Sequence, residues 1–98
     1  MNEILVLTTA GTNDQAEQIA AALVENGEAA CANIVPGVRS IYRWEGKVCN
    51  ELEFLLLIKS RAEKFEAVRT RIKSLHSYAV PEIIALPISE GSRAMHAS

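Results

Sequence analysis

His76, in the stretch LHSYAVPEII (75–84), is the residue whose type most readily does chemistry. An imidazole can ligate a metal, pass a proton, or close a helix end by bonding a nearby carbonyl, and the residues alone favour the last of these. Glu51, Glu53 and Glu82 are the carboxylates nearest the apolar runs. Any of them could join His76 around a cation, and the bland alternative is ion pairing at an interface. Glu53 carries the most weight, because it directly precedes the apolar run FLLLI (54–58), where an unpaired charge is expensive. Cys31 and Cys49 are the only thiols, with neither a CxxC spacing nor an adjacent histidine to complete a zinc site, so both are expected to stay reduced. Cys31 lies among small apolar residues and reads as a buried hydrophobe, whereas Cys49 stands beside Asn50 and reads as the more exposed.

A second group is aromatic and basic. Tyr42, Trp44 and Tyr78 can line a cleft between subunits, with Arg39, Arg43, Lys47 and Lys59 offering charge to an anion. Strand alternation puts Tyr42 and Trp44 on one side and Arg43 on the other, which favours packing for Trp44. The loop TTAGTND (8–14) feeds a helix N-terminus but holds no arginine for phosphate, and capping by Thr12 explains it equally well. No Ser-His-Asp or Cys-His constellation stands at a recognisable spacing, so no enzyme is expected.

These residues must be positioned by few elements, because 98 residues allow one domain, spanning 1–98. EILVLTT (3–9) is a β-branched apolar run ending at Gly11. Thr12-Asn13-Asp14-Gln15 is a capping box, and Ala16, Ile19, Ala20 and Leu23 recur at helical spacing up to Asn26-Gly27. An extended stretch from Glu28 to Trp44 is broken at Pro36-Gly37, where a bulge or bend is expected. The Glu45-Gly46 turn then leads into a third strand, Lys47 to Lys59. Ser60-Arg61-Ala62-Glu63 reads as a second capping box, and Phe65, Val68, Ile72 and Leu75 line the helix behind it, which should end near His76 and Ser77. Pro81 forces an extended backbone into a last strand, EIIALPI (82–88). The order β-α-β-β-α-β gives an α+β, ferredoxin-like sandwich, with an antiparallel sheet, a long β2-β3 hairpin and both helices on one face. Residues 89–98 show no sustained period.

With helices on one face, half of each strand should be polar. Instead FLLLI is apolar at both parities and EIIALPI repeats the pattern, so a second copy is expected over the other face. Apolar residues make up 49% of the chain and charged ones 22%, which excludes wholesale disorder. The net charge of −2 gives no field for nucleic acid or an anionic membrane, and an aliphatic, acidic third strand does not suit an RNA-recognition surface. No apolar run approaches the roughly 18 residues of a membrane span, and MNEILVLTT lacks the basic flank of a secretory signal. A cytoplasmic protein is expected.

The segments AACANIVPGVRSIYRWEGKV (29–48), ELEFLLLIKS (51–60) and LHSYAVPEIIALPI (75–88) together resemble the CutA family of divalent-cation tolerance proteins, with WEGK and H-x-Y-x-V-P-E the specific features. The resemblance implies a cytoplasmic homotrimer, similar in architecture to the PII signalling proteins and assembled through the β2-β3 hairpin and sheet edges. It also implies tolerance of copper and other divalent cations. Copper(II) or another divalent cation is then a partner that the fold does not require. Some members carry a cysteine where this chain has Thr8 and a histidine where it has Leu75, so of that ligand set only His76 is retained, with Glu53 and Cys31 as further candidate donors. The alternative the resemblance leaves open is a PII-like signalling or structural trimer, holding a small anion or a partner protein in clefts lined by Tyr42, Trp44, Tyr78, Arg39 and Lys59. Members also continue past the glycine at Gly91 with a tyrosine and a tryptophan in a final short helix, where this chain has Ala94-Met95-His96.

Overall fold

The computed structural model describes residues 2–92 and realises the expected order. Strand β1 (Glu3–Ala10) is followed by helix α1 (Asn13–Glu25), strands β2 (Cys31–Trp44) and β3 (Lys47–Arg61), helix α2 (Phe65–Leu75) and strand β4 (Ile84–Pro87). All pairings are antiparallel, in the order β2-β3-β1-β4. The atypical tail from Arg93 onward lies outside the described residues.

Alternation along the strands decides what goes where. Ile4, Val6 and Ala10 of β1 and Leu56 and Ile58 of β3 are buried against Ala16, Ile19 and Leu23 of α1 and Val68 and Ile72 of α2. Each of the large side chains here, among them Ile19, Leu23, Leu56 and Ile72, contributes about 1.5–3 kcal/mol on leaving water. The opposite face forms cross-strand rows of its own: Cys31, Lys59, Leu5 and Leu86, then Asn33, Leu57, Leu7 and Ile84, then Val35, Leu55 and Thr9. Leu5, Leu7, Leu55 and Leu57 are only half-buried there, and Ile84 and Leu86 are exposed.

The hairpin closes on Glu45 (φ 49°) and Gly46 (φ 76°) between the paired residues Trp44 and Lys47. Two successive positive φ values make the tight turn whose twist matches the strands. The expected bulge falls between Val35 and Val38, where Gly37 takes φ 71°. Beyond it the hairpin stands clear of the helices, and Ile41, Trp44, Val48 and Leu52 are exposed, each by more than half.

Three expectations need correction. Ser60 does not cap α2: it is buried in β3, which runs on to Arg61, and its hydroxyl donates to the Glu28 carbonyl at 2.6 Å. The chain enters α2 through a single 3-10 turn, Ala62–Lys64, with no side-chain cap. The Thr12 cap forms, with the Gln15 N–H donating to Thr12 Oγ1 at 3.1 Å, but the Gln15 side chain does not reach back. It donates instead to the Leu75 carbonyl at 3.0 Å and accepts from the Ser77 N–H at 2.7 Å, tying the start of α1 to the end of α2. Finally, β4 is four residues rather than seven, and ahead of it the Glu82 carbonyl accepts from the Thr8 hydroxyl at 2.7 Å.

Candidate functional site

The segment between α2 and β4 crosses the end of β1 and carries the two side chains around which the polar groups gather. Helix α2 ends because His76 turns to an extended conformation (φ −73°, ψ 140°), while its N–H still reaches the Ile72 carbonyl at 2.8 Å. The His76 ring is 9% exposed and both of its nitrogens are engaged. Nδ1 accepts from the Tyr78 N–H at 3.0 Å, so the proton sits on Nε2, which donates to the Thr9 carbonyl at 2.6 Å. The rings of His76 and Tyr78 lie 4.5 Å apart, tilted by 41°.

Tyr78 carries the network onward. Its hydroxyl donates to Glu53 Oε2 at 2.6 Å, and Glu53 is buried to 6% exposure. One turn of the ladder further out, the Tyr42 hydroxyl donates to Glu51 Oε1 at 2.7 Å. Partial burial pushes the Tyr78 hydroxyl well above the usual tyrosine range, with the bond to Glu53 adding to it. Tyr42 is pushed up to about 12, chiefly by its bond to Glu51. Glu53 and Glu51 also act at longer range on Tyr42 and Tyr78 respectively, so these four side chains form one electrostatic neighbourhood. Gly11 makes room for it, because a Cβ there would meet the Tyr78 hydroxyl at 3.3 Å.

The residues singled out in the sequence separate into three places. His76 and Glu53 meet through Tyr78, while Cys31 faces Lys59 at the far end of β3, six residues or roughly 20 Å away at strand spacing. Among the described residues, no group of three or more His, Cys, Asp and Glu side chains is arranged to hold a metal. Imidazole suits copper in either oxidation state, whereas soft sulfur selects copper(I). His76 can present a nitrogen only by giving up Thr9 or Tyr78, and Cys31 is remote, so the donors of one chain do not make a copper site. Of the cleft residues, Tyr42 and Trp44 share the side of the sheet that bears Glu51 and Glu53. Arg39 points the other way and donates to Asn50 Oδ1 at 2.8 Å. Lys59 stands with Cys31. Both cysteines are half-buried, so Cys31 is not the buried hydrophobe expected of it.

Two contributors were missed in the sequence, Gln15 and the Tyr42–Glu51 pair. The pair had a signal. Counting back from a two-residue turn at Glu45-Gly46 sets Tyr42 opposite Cys49 and diagonal to Glu51. Gln15 had none, since its partners are 60 and 62 residues away.

A four-stranded antiparallel sheet backed by two helices, with a projecting hairpin and a satisfied histidine-tyrosine-glutamate network at its root, defines an α+β scaffold of the ferredoxin-like class. Comparison with known proteins gives the family. The model of the CutA1 divalent ion tolerance protein family matches residues 4–97, and the chain belongs to that family. It is 53% identical over 91 residues to the divalent-cation tolerance protein CutA of Thermus thermophilus, covering 93% of this chain and 88% of the relative. The solved structure of the divalent cation tolerance protein Cut A1 from Thermus thermophilus superposes with a TM-score of 0.93 at 51% identity, over 96% of this chain and 91% of that one. CutA from Xylella fastidiosa superposes at 0.95 and 38% identity, over 98% and 92% of the two chains. The chain is thus a divalent-cation tolerance protein of the CutA family.

Proposed function

We propose that the protein acts in divalent-cation tolerance as a homotrimer, and that copper(II) or another divalent cation is held weakly where subunits meet. The observation that carries the reading is the uncovered sheet face. Leu5, Leu7, Leu55 and Leu57 form a continuous half-buried patch flanked by exposed Ile84 and Leu86, and among the described residues both helices pack on the other side. Such a face gains about 25 cal/mol for each Å² of apolar area that another copy removes from water. The edge strands β2 and β4 add unpaired backbone groups on either side of it.

The place of the cation follows from the donors. One chain offers the second oxygen of Glu53, whose Oε2 alone is taken by Tyr78, and a His76 nitrogen released from Tyr78. Copper(II) needs more than this pair, and a neighbouring copy is the nearest source of further donors.

Calorimetric titration of the reduced protein with copper(II), on the wild type, His76→Ala and Leu57→Asp, tests the reading. Saturable heat in the wild type that is lost when Leu57→Asp separates the subunits is the expected result, and loss in His76→Ala would add that ring to the ligands. Equal heat from the separated chain, or none from the wild type, would contradict it.

A further inference from the structure

We propose that the cavity at the end of the sheet farthest from the hairpin turn, walled by Lys59, Arg61 and Lys64, binds a small phosphate-bearing anion. The cavity has a volume of about 410 Å³, within the range of small-molecule sites. It opens where β3 ends and the turn after α1 passes over it, lined on one side by Gly27, Ala30 and Cys31. These are small side chains, and none of them fills the space.

The charge around it is unevenly committed. In a chain of net charge −2, three of the ten lysines and arginines border this one cavity. Lys59 and Arg61 are two apart on β3 and therefore project on the same side. Lys59 makes no ion pair among the described residues. Arg61 commits only its Nε, to Glu63 Oε2 at 2.9 Å, leaving both terminal nitrogens of the fork. Lys64 places its ammonium 2.8 Å from the Gly27 carbonyl, one of the three bonds it can donate. Of the two carboxylates at the same wall, Glu28 gives both oxygens to Arg71, at 2.9 and 3.0 Å, while Glu3 stands across the ladder from Arg61. Lys59, the terminal nitrogens of Arg61 and the remaining bonds of Lys64 are the donors left for a ligand.

The wall is also held in place before any ligand arrives. Gly27 takes φ 70° as the residue after the helix cap, and the N–H groups of Glu28 and Ala29 both return to the Leu23 carbonyl. Ser60 and the backbone of Ala30 fasten the turn to β3. A guanidinium fork beside two ammonium groups suits a tetrahedral anion, whose oxygens several donors can reach at once, better than a planar carboxylate, which one fork satisfies. The cavity uses no metal donor, so the proposal does not rest on the copper reading, and because Lys59 and Cys31 border the open face, the cavity lies at the edge of the proposed subunit junction.

The test is calorimetric titration of the EDTA-treated protein at low salt with inorganic phosphate, pyrophosphate and acetate. It is run on the wild type, Lys59→Gln, Arg61→Gln and the hairpin-tip control Lys47→Gln. Saturable binding of phosphate or pyrophosphate, weakened about tenfold by Lys59→Gln and by Arg61→Gln but unchanged by Lys47→Gln, is the expected result. The absence of saturable binding would overturn it. So would equal weakening by Lys47→Gln, which would mean diffuse charge, or acetate binding as tightly as phosphate.

Discussion

The two faces of the sheet are built from the same strands and are almost equally apolar, yet only one is finished within the chain. Leu56 and Ile58 are sealed under two helices, while Leu55 and Leu57, their immediate neighbours, stay half in solvent. A face with polar alternation is at rest in water, and a face with leucine at both parities is not. The difference is what the proposed assembly rests on: the chain itself closes one face and leaves the other for a neighbouring copy. It also places the His76–Tyr78–Glu53 network where the finished and unfinished parts meet, at the root of a hairpin whose exposed apolar side chains have no cover among the described residues.

Adjacent leucines give the sharpest way to break this comparison. Leu56→Ala should lower the unfolding free energy by about 2–5 kcal/mol, as a cavity opens under the helices, read from denaturant midpoints. Leu57→Asp should leave the circular dichroism of a folded chain but reduce the particle mass to one subunit, read by light scattering. Equal loss of folding in both would mean that the open face is core in its own right.

A smaller effect is expected at the junction itself. Tyr78→Phe removes the hydroxyl that answers the buried Glu53 and should cost about 1–2 kcal/mol, most of which Glu53→Gln in the same chain should restore. The same network sets a pH limit. Folding raises the ionisation range of both Tyr42 and Tyr78 above the ordinary value of 10.0. Their contribution is therefore complete below pH 10 and is lost as the pH climbs from there through the raised folded values. Urea midpoints should fall steeply above pH 10 in the wild type and less steeply in Tyr42→Phe/Tyr78→Phe; identical slopes would remove the two phenols from the account.

The outer surface of α2, polar and facing solvent, should be nearly silent. Arg69→Ala breaks a pair with Glu66 that is 39% and 73% exposed, so a change under about 0.5 kcal/mol is expected in the same denaturant assay.

Most of the fold was legible because it rests on local pattern. The apolar period of Ala16, Ile19 and Leu23, the Pro36-Gly37 break and the Glu45-Gly46 turn each fix one element or bend. The apolar parity of FLLLI likewise announced a second apolar face, which the chain itself leaves half-buried. Ser60 misled because a serine three residues before a glutamate looks the same in sequence whether it caps a helix or is buried in a strand, and only the Glu28 carbonyl packed against it decides. The site was legible in its members more than in its wiring. His76 and Glu53 stood out by type and neighbourhood, but Tyr78 joins them across 25 residues and Thr9 anchors His76 across 67. Contacts of that span come from the segment after α2 returning past the end of β1, which no spacing in the sequence encodes.

Sedimentation equilibrium of the wild-type protein at micromolar concentration tests the central claim most directly. An assembly of three times the 10.7 kDa chain mass, folded and persisting on dilution, is the predicted result. A folded, soluble species of 10.7 kDa would contradict it, because the leucines of the open face would then be stable in water without a partner.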